Sequence, residues 1–317
     1  MLRTLRNRLL IALPVLFGIS VLSFFIVRLV PGDTVTAMLG AQYTESQAEA
    51  LRIRYGLDQP LITQYRLWLG NVLRGDWGES AYTGQSVSAA LLERLPVTAQ
   101  LVLFSVSIAL VLALPLGIIG ALRRGRATDA AVTTLGLLGI SVPGFWLGTL
   151  LILGLSLHTG WFPSGGYIHW NVDPWENIRH MILPALALGG AVAAVIMRMT
   201  RSAMLDVLHQ DYVRLARAKG MPRRIWVLKH AFRNALIPIV TITGIQIGYL
   251  LGGSVVIEQI FSLPGIGMLT LQAINNRDYA LLQGTVLFVG CCFVVINLLV
   301  DLLYAYLDPR IHLGGRS

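Results

Sequence analysis

Charge is what this sequence has least of. Only 13% of its 317 residues are Asp, Glu, Lys or Arg, where soluble domains carry about a quarter. Hydrophobic residues make up 55%, and the mean hydropathy is +0.67. That composition describes an integral membrane protein. A formal net charge of +9 in a soluble chain would suggest nucleic acid. In a membrane chain the placement of the cations matters more, and no nucleic-acid partner is expected. Cysteine is also scarce: Cys291 and Cys292 are adjacent in an apolar run and read as small buried residues rather than a bridge.

The motifs of membrane enzymes are missing too. There is no HExxH, which argues against a zinc protease of that type, and no GxGD or GxSG, which argues against the common intramembrane proteases. Gly is never followed by Lys, so no GxxxxGK[ST] phosphate loop exists. The chain reads as non-catalytic, with no metal or cofactor of its own. His158, His169 and His180 match no compact ligand motif, and interfacial packing is the simpler reading. Ionisable groups are nearly absent from the apolar runs, where a proton-coupled carrier would place them. Arg28, Arg198 and Asp301 lie at run edges, where snorkelling accounts for them. Uphill transport would need energy from elsewhere.

What is present is a set of uncharged runs of spanning length, roughly 17–25 residues. They are Leu9–Val27, Leu95–Leu122, Ala130–Leu157, Met181–Met197, Asn234–Ile257 and Tyr279–Val300. The first is longer than a signal-peptide core, so a retained span is expected. Pro14, Pro115, Pro143, Pro184 and Pro238 fall inside runs, as membrane helices tolerate. Gly136, Gly139, Gly144 and Gly148 predict close packing of the third span. A polar passage could use Gln100, Ser141, Pro143, Thr243, Gln246 and Asn297. Interhelical hydrogen bonding is the competing reading for each.

Pro31 to Arg94 is polar and reads as small helices. Thr44 to Gln47 forms a capping box, with Gly56 closing that helix. Pro60 starts a second, with Leu61, Tyr65, Trp68, Leu69 and Val72 on one face and Gly75 at its end. Ser86 caps a third, running to Leu95. The positive-inside rule sets the orientation. Arg3, Arg6, Arg8, Arg123, Arg124, Arg126, the cations from Arg198 to Arg233, Arg310 and Arg316 gather on one side, against Asp129, Asp206, Asp211, Asp301 and Asp308. Both termini are therefore expected in the cytoplasm.

The stretch Asp211–Pro238, DYVRLARAKGMPRRIWVLKHAFRNALIP, is the long basic segment of the chain. Gly220-Met221-Pro222 interrupts it. Glycine suits the left-handed position after a helix, and proline suits the first turn of the next. The expected form is a helix, a sharp turn and a short helix from Pro222 to His230. A solvated basic loop is the plainer reading. Ile225, Trp226 and Leu228 weigh against it, because such side chains need lipid headgroups or a protein to cover them.

That stretch resembles the cytoplasmic "EAA" loop of ABC importer permeases, most closely the dipeptide, oligopeptide and nickel group. YGLDQPLITQY at Tyr55–Tyr65, GDWGES at Gly75–Ser80, RLPVTAQL at Arg94–Leu101, PLGIIGAL at Pro115–Leu122, SVPGFWLG at Ser141–Gly148, RSAMLDVLHQDYVR at Arg201–Arg214, FSLPGIG at Phe261–Gly267, NRDYALLQG at Asn276–Gly284 and LDPRI at Leu307–Ile311 resemble the same group in order. The resemblance implies an all-α type I importer transmembrane domain with six helices. Residues 1–30 would hold the first helix, 31–94 a helical extracytoplasmic segment, 95–306 the core with a coupling loop near 205–233, and 307–317 a cytoplasmic tail.

The resemblance also implies the site. The loop motif's second alanine and glycine fall on Ala216 and Gly220. Its glutamate position is Arg214, and its later Leu-Pro is Phe232-Arg233, departures that look usual for this group. Arg214, Leu215, Ala216, Ala218, Lys219, Gly220, Met221, Pro222, Ile225 and Trp226 would couple the chain to an ATP-binding subunit. Tyr55, Asp58, Trp77, Pro264, Asn276 and Asp278 would meet an extracytoplasmic binding protein. The implied partners are two ATP-binding subunits carrying ATP and magnesium, a second permease (a heterodimer being favoured) and the binding protein. Peptides are the expected cargo, with nickel or another small solute as the alternative. An ATP-independent channel or a membrane scaffold is the reading outside this class.

Overall fold

The structure, a computed structural model, describes residues 2–29, 44–54 and 58–307. Tyr55, the helix end expected at Gly56, residues 31–43, and the tail with Arg310 and Arg316 lie outside them. In chain order the elements are α1 Leu2–Leu29, α2 Glu45–Arg54, α3 Leu61–Leu73, α4 Val87–Leu122 and α5 Ala127–Ser141. Next come α6 Gly144–Leu151 with a π-helical continuation Ile152–His158, α7 Pro174–Leu208 and α8 Asp211–Ala218. Then α9 Arg223–Ile225 runs through π-helical Trp226–Phe232 into α10 Arg233–Ile260, and α11 Ile266–Asn275 and α12 Tyr279–Leu307 close the order. Among the described residues, four helices are long and apolar enough to cross a membrane, or five if the bent pair α5–α6 forms one span. The apolar stretch of α1, Leu10–Ile26, is shorter.

The helices outrun the apolar runs for a physical reason: a helix needs backbone bonds, not apolar side chains. Glu93 and Arg94 end an uncharged run, yet α4 passes straight through them, so no separate helix ends at Leu95. α7 begins well before Met181. Asp173 caps it, its carboxylate accepting from the backbone N–H of Trp175 at 3.0 Å and Glu176 at 3.1 Å, with Pro174 in the first turn. α10 continues past Ile257 to Ile260 and buries Glu258, an acid the run boundary had left outside. The third run departs the other way. It breaks at Val142-Pro143, and its halves are bent by 98°. Val142 is extended, as a residue before proline prefers, and Pro143 starts α6. Pro14, Pro184 and Pro238 stay inside their helices.

Contacts divide the chain into two compact units, one built on Ala99–Leu263 and the other on Arg6–Thr98 with Pro264–Val295. In the first, Val102 and Val106 of α4, Ile196 and Met204 of α7, and Ile239 and Leu250 of α10 belong to one core cluster. Glycines set how closely these helices approach. A Cβ on Gly189 of α7 would lie 2.6 Å from the Ser105 carbonyl oxygen of α4. One on Gly117 of α4 would lie 2.8 Å from the Met197 carbonyl oxygen, and one on Gly139 of α5 would lie 2.8 Å from the Ala194 Cβ.

In the second unit, Phe24 of α1 packs on Tyr65 and Trp68 of α3, with ring centroids 5.3 and 5.7 Å apart. The Ser20 and Tyr65 hydroxyls lie 2.7 Å apart. Tyr65, Trp68, Leu69 and Val72 are all half-buried, while Leu61 at the start of that face is exposed. Val87 and Leu91 of α4 cluster with Ile266 and Leu269 of α11 and Leu281 of α12.

Gly189→Ala should destabilise the chain by about 1–3 kcal/mol, because the added methyl meets backbone rather than a side chain that can turn away. Gly252→Ala, in open space on α10, should change stability by less than about 1 kcal/mol and favour the helix. Thermal unfolding in detergent would compare the two. Equal midpoints would refute the contact between α4 and α7.

Candidate functional site

The turn after α8 has the geometry that the residues Ala216 to Met221 dictate. Gly220 is left-handed, with φ +72°. Its N–H donates to the Arg217 carbonyl at 2.9 Å, and the Met221 N–H donates to the Ala216 carbonyl at 3.3 Å. This is the Schellman pair of bonds that closes a helix end. Ala216 is thus fixed twice: its carbonyl closes the turn, and its side chain is buried beside Val213. Leu215, Ala218, Lys219 and Gly220 are exposed, and Arg214 is exposed with a loose ion pair to Asp211 at 3.6 Å. Pro222 is extended and starts α9.

Two expectations are corrected here. The segment after the turn is no separate short helix. α9, the π-helical turn and α10 form one helix from Arg223 to Ile260, 38 residues long. Pro222 lies in front of it and Pro238 inside it, so nothing between them interrupts the backbone bonds. Trp226 is half-buried rather than exposed. It packs on the core cluster of its unit, and the Arg217 guanidinium covers its ring 4.1 Å from the centroid. Exposed apolar side chains remain on both sides of the turn: Leu215 before it, and Ile225 at 44% and Leu228 at 47% exposure after it.

The remaining candidates separate by how their polar atoms are satisfied. The Gln100 carboxamide oxygen accepts from the Tyr167 hydroxyl at 3.2 Å and from Asn177 Nδ2 at 3.4 Å, and its Nε2 donates to Asn177 Oδ1. Asn177 is fully buried and also donates to the Ile168 carbonyl at 2.6 Å. This cluster pins the 159–173 loop to α4 and α7. The Ser141 and Thr243 hydroxyls donate to carbonyls one turn earlier in their own helices, at 2.9 and 2.8 Å. Gln246 and Asn297 are half-buried on α10 and α12, and Pro143 is exposed at the bend. A groove of about 570 Å³ between α5, α7 and α10 contains none of these six; Thr133, Arg198, Arg201 and Ser202 contribute its polar lining.

In the other unit, Asp58 and Asn276 are exposed, and Trp77 and Pro264 are half-buried. Trp77 packs edgewise on Phe288. Asp278 is withdrawn from any outer surface: it is buried, accepts from the Ser80 hydroxyl, and accepts from the Leu281 N–H at 3.2 Å. Its carboxylate caps α12, which explains its burial and removes it as a partner contact.

Several residues in this arrangement escaped the sequence reading. Asn177 and Tyr167 had no motif to mark them. Asp129 is the lone acid beside Arg123, Arg124 and Arg126, a visible signal. It is buried, receives Arg201 Nε at 2.6 Å and Nη2 at 2.9 Å, and accepts from the Gly125 N–H at 2.9 Å. A bidentate pair of this kind fixes geometry as well as charge. Among the described residues, no group of three or more His, Cys, Asp or Glu side chains is placed to hold a metal ion.

The family described as "binding-protein-dependent transport system inner membrane component" matches residues 113–313. Its N-terminal counterpart matches residues 1–102. The oligopeptide transport system permease protein AppB of Bacillus subtilis is 42% identical over 308 residues, covering 96% of this chain and 98% of its own. The di/tripeptide transport system permease protein DppB of Pseudomonas aeruginosa is 42% identical over 334 residues, covering 98% and 99%. In a solved structure of the MetNI methionine ABC transporter, described as inward facing, one chain shares the fold at a TM-score of 0.54 and 19% identity. That match covers 69% of this chain and 96% of the other.

Gly220→Ala adds a Cβ that meets nothing within 4 Å, so its cost is purely conformational, about 1 kcal/mol. Hydrogen exchange at Met221 should accelerate about fivefold, and Gly220→Asn should restore most of the protection. Unchanged exchange in Gly220→Ala would show that the left-handed turn is not maintained in the membrane protein.

Proposed function

The chain belongs to the family of binding-protein-dependent transport system inner membrane components, and from that premise we propose that it forms half of the translocation pathway of an ATP-driven peptide importer. AppB and DppB are named for oligopeptides and di/tripeptides. Those names favour peptide over nickel as the cargo here. The observation that carries the coupling role is the Gly220 turn with Ile225 and Leu228 exposed beyond it, on a helix continuous with a membrane-crossing one. Exposed aliphatic side chains on an otherwise basic segment are what a partner's groove would cover.

In this reading two separate subunits bind ATP and magnesium, and the chain contributes no catalytic group. One ATP-binding subunit receives the segment around Gly220, Ile225 and Leu228, with Arg214, Leu215, Ala218, Lys219, Met221 and Pro222 at its edge. Ala216 and Trp226 hold the shape from beneath. A homologous second permease completes the pore. ATP binding favours one arrangement of the assembly and hydrolysis the other, so access alternates by population shift. Cargo passes Ser141, Pro143, Gln246 and Asn297, while Gln100 and Thr243 act mainly on packing. Residues 31–94, through Asp58 and Trp77, and the loop with Pro264 and Asn276 meet the binding protein outside. Both termini lie in the cytoplasm, and residues 95–306 form the transporter core.

The test is purification of the chain from native membranes in mild detergent, with mass spectrometry of what accompanies it. Wild type should bring two ATP-binding chains and a second permease. Ile225→Asp with Leu228→Asp should keep insertion but reduce the ATP-binding chains by roughly 30-fold to 900-fold, as expected for two anchor residues at about 1–2 kcal/mol each. A wild-type chain that emerges alone, from membranes in which other ABC assemblies stay intact, would favour a channel or scaffold.

A further inference from the structure

A second site lies behind the turn. A cleft of about 660 Å³ is bounded by the loop after α4, the end of α7, α8 and α9. Arg123, Arg124, Arg126, Arg214, Arg217 and Arg223 line it, together with His209 and Trp226, and no Asp or Glu does. Six guanidinium groups around one cavity repel one another unless an anion sits among them.

The nearby acids do not supply it. Asp129 is engaged by Arg201, which lines the other groove, and reaches the cleft only through a weaker attraction to Arg124. The Asp211 side chain is 98% exposed, and its ion pair among the described residues is to Arg214, at 3.6 Å. Arg123, Arg124, Arg126 and Arg223 make no ion pair among the described residues. Arg217 lies face-on over Trp226, and stacking uses the guanidinium face while its N–H groups remain in the plane for an anion. The rest of the lining is apolar: Ala121 and Leu122 end α4, and Leu205 and Leu208 end α7. Arginines above the last apolar turns of two spanning helices match the boundary between headgroup and hydrocarbon.

We propose that this cleft binds the phosphate headgroup of an anionic phospholipid, with its glycerol and upper acyl chains against Leu122, Leu205 and Leu208. The apolar wall distinguishes a lipid from free phosphate. The arginine forks suit phosphate oxygens, which accept paired N–H donors. A bound lipid would link the α4–α5 loop to α8 and α9, and so stiffen the base of the turn without occupying Ile225 or Leu228. The proposal goes beyond the importer reading and does not depend on it.

Native mass spectrometry of the full-length chain tests it directly. The chain in neutral detergent is offered phosphatidylglycerol, phosphatidylcholine or inorganic phosphate. Wild type should retain one phosphatidylglycerol in preference to phosphatidylcholine, and inorganic phosphate should not displace it. Arg123→Gln with Arg124→Gln and Arg126→Gln should weaken retention about a hundredfold, roughly fivefold per arginine. Equal retention of the two lipids by wild type overturns the proposal without any variant. Displacement by inorganic phosphate would assign the cleft to a free anion instead. If the triple variant keeps phosphatidylglycerol but loses the ATP-binding chains in purification from native membranes, the cleft belongs to an acidic protein surface and the lipid assignment fails.

Discussion

α7 comes closest to α4 and α5 where side chains are absent. Lipid tails are as apolar as leucine, so burial in a bilayer does not by itself drive helices together. Contact has to come from close approach, where dispersion and weak carbonyl interactions act over a long seam. Gly189 against the Ser105 carbonyl, Gly117 against the Met197 carbonyl and Gly139 against Ala194 each occupy a position that a methyl group would overfill. The backbone spacing of α4, α5 and α7 follows from these positions. So does the placement of whatever their far ends carry, including the Arg123–Arg126 loop and the start of α8.

Polar groups in this chain are mostly held locally, and that divides structural residues from functional ones. Ser105, Ser141, Thr200 and Thr243 donate back to their own helices. Gln100, Asn177 and Tyr167 close on one another, and Asp278 closes on Ser80 and the start of α12. Residues bound this way set shape. Among the described groups that face outward without comparable bonds are the aliphatic pair Ile225 and Leu228 and several of the arginines around Trp226. An unsatisfied surface of that kind, next to a tightly satisfied interior, is where another molecule finds its contacts.

The fold was legible in most places where the signal was continuous. Four of the six long uncharged runs marked helices long enough to span, while the third, equally continuous, is bent by 98° at Val142-Pro143. Gly75 and Gly220 marked helix ends because glycine alone adopts the left-handed cap without strain. The same cap geometry recurs at Ser262 and Arg277, with φ of 51° and 53°, and no residue type announces it there. Tertiary packing holds those two turns, so only the structure reveals them. Helix ends inside charged segments were illegible for a related reason: Glu93 and Arg94 interrupt an apolar pattern without interrupting backbone bonding. At the site, the turn and its glycine were readable, while the burial of Trp226 was not, because Arg217 covers it from four residues before the turn's end. Asp278 looked like surface and proved to be a cap, since its partner Ser80 is distant in sequence.

The unbroken helix from Arg223 to Ile260 behaves as a lever arm. At 1.5 Å per residue it is about 57 Å long, so a tilt of roughly 10° about one end carries the other end through about 10 Å. Its π-helical turn, Trp226–Phe232, is one compliant joint, where extra residues per turn loosen the hydrogen-bond ladder, and Pro238, which donates no backbone bond, is a second. A displacement of the exposed aliphatic tip would reach the opposite end of the helix, around the buried Glu258, through a rod with two soft sections near its handle.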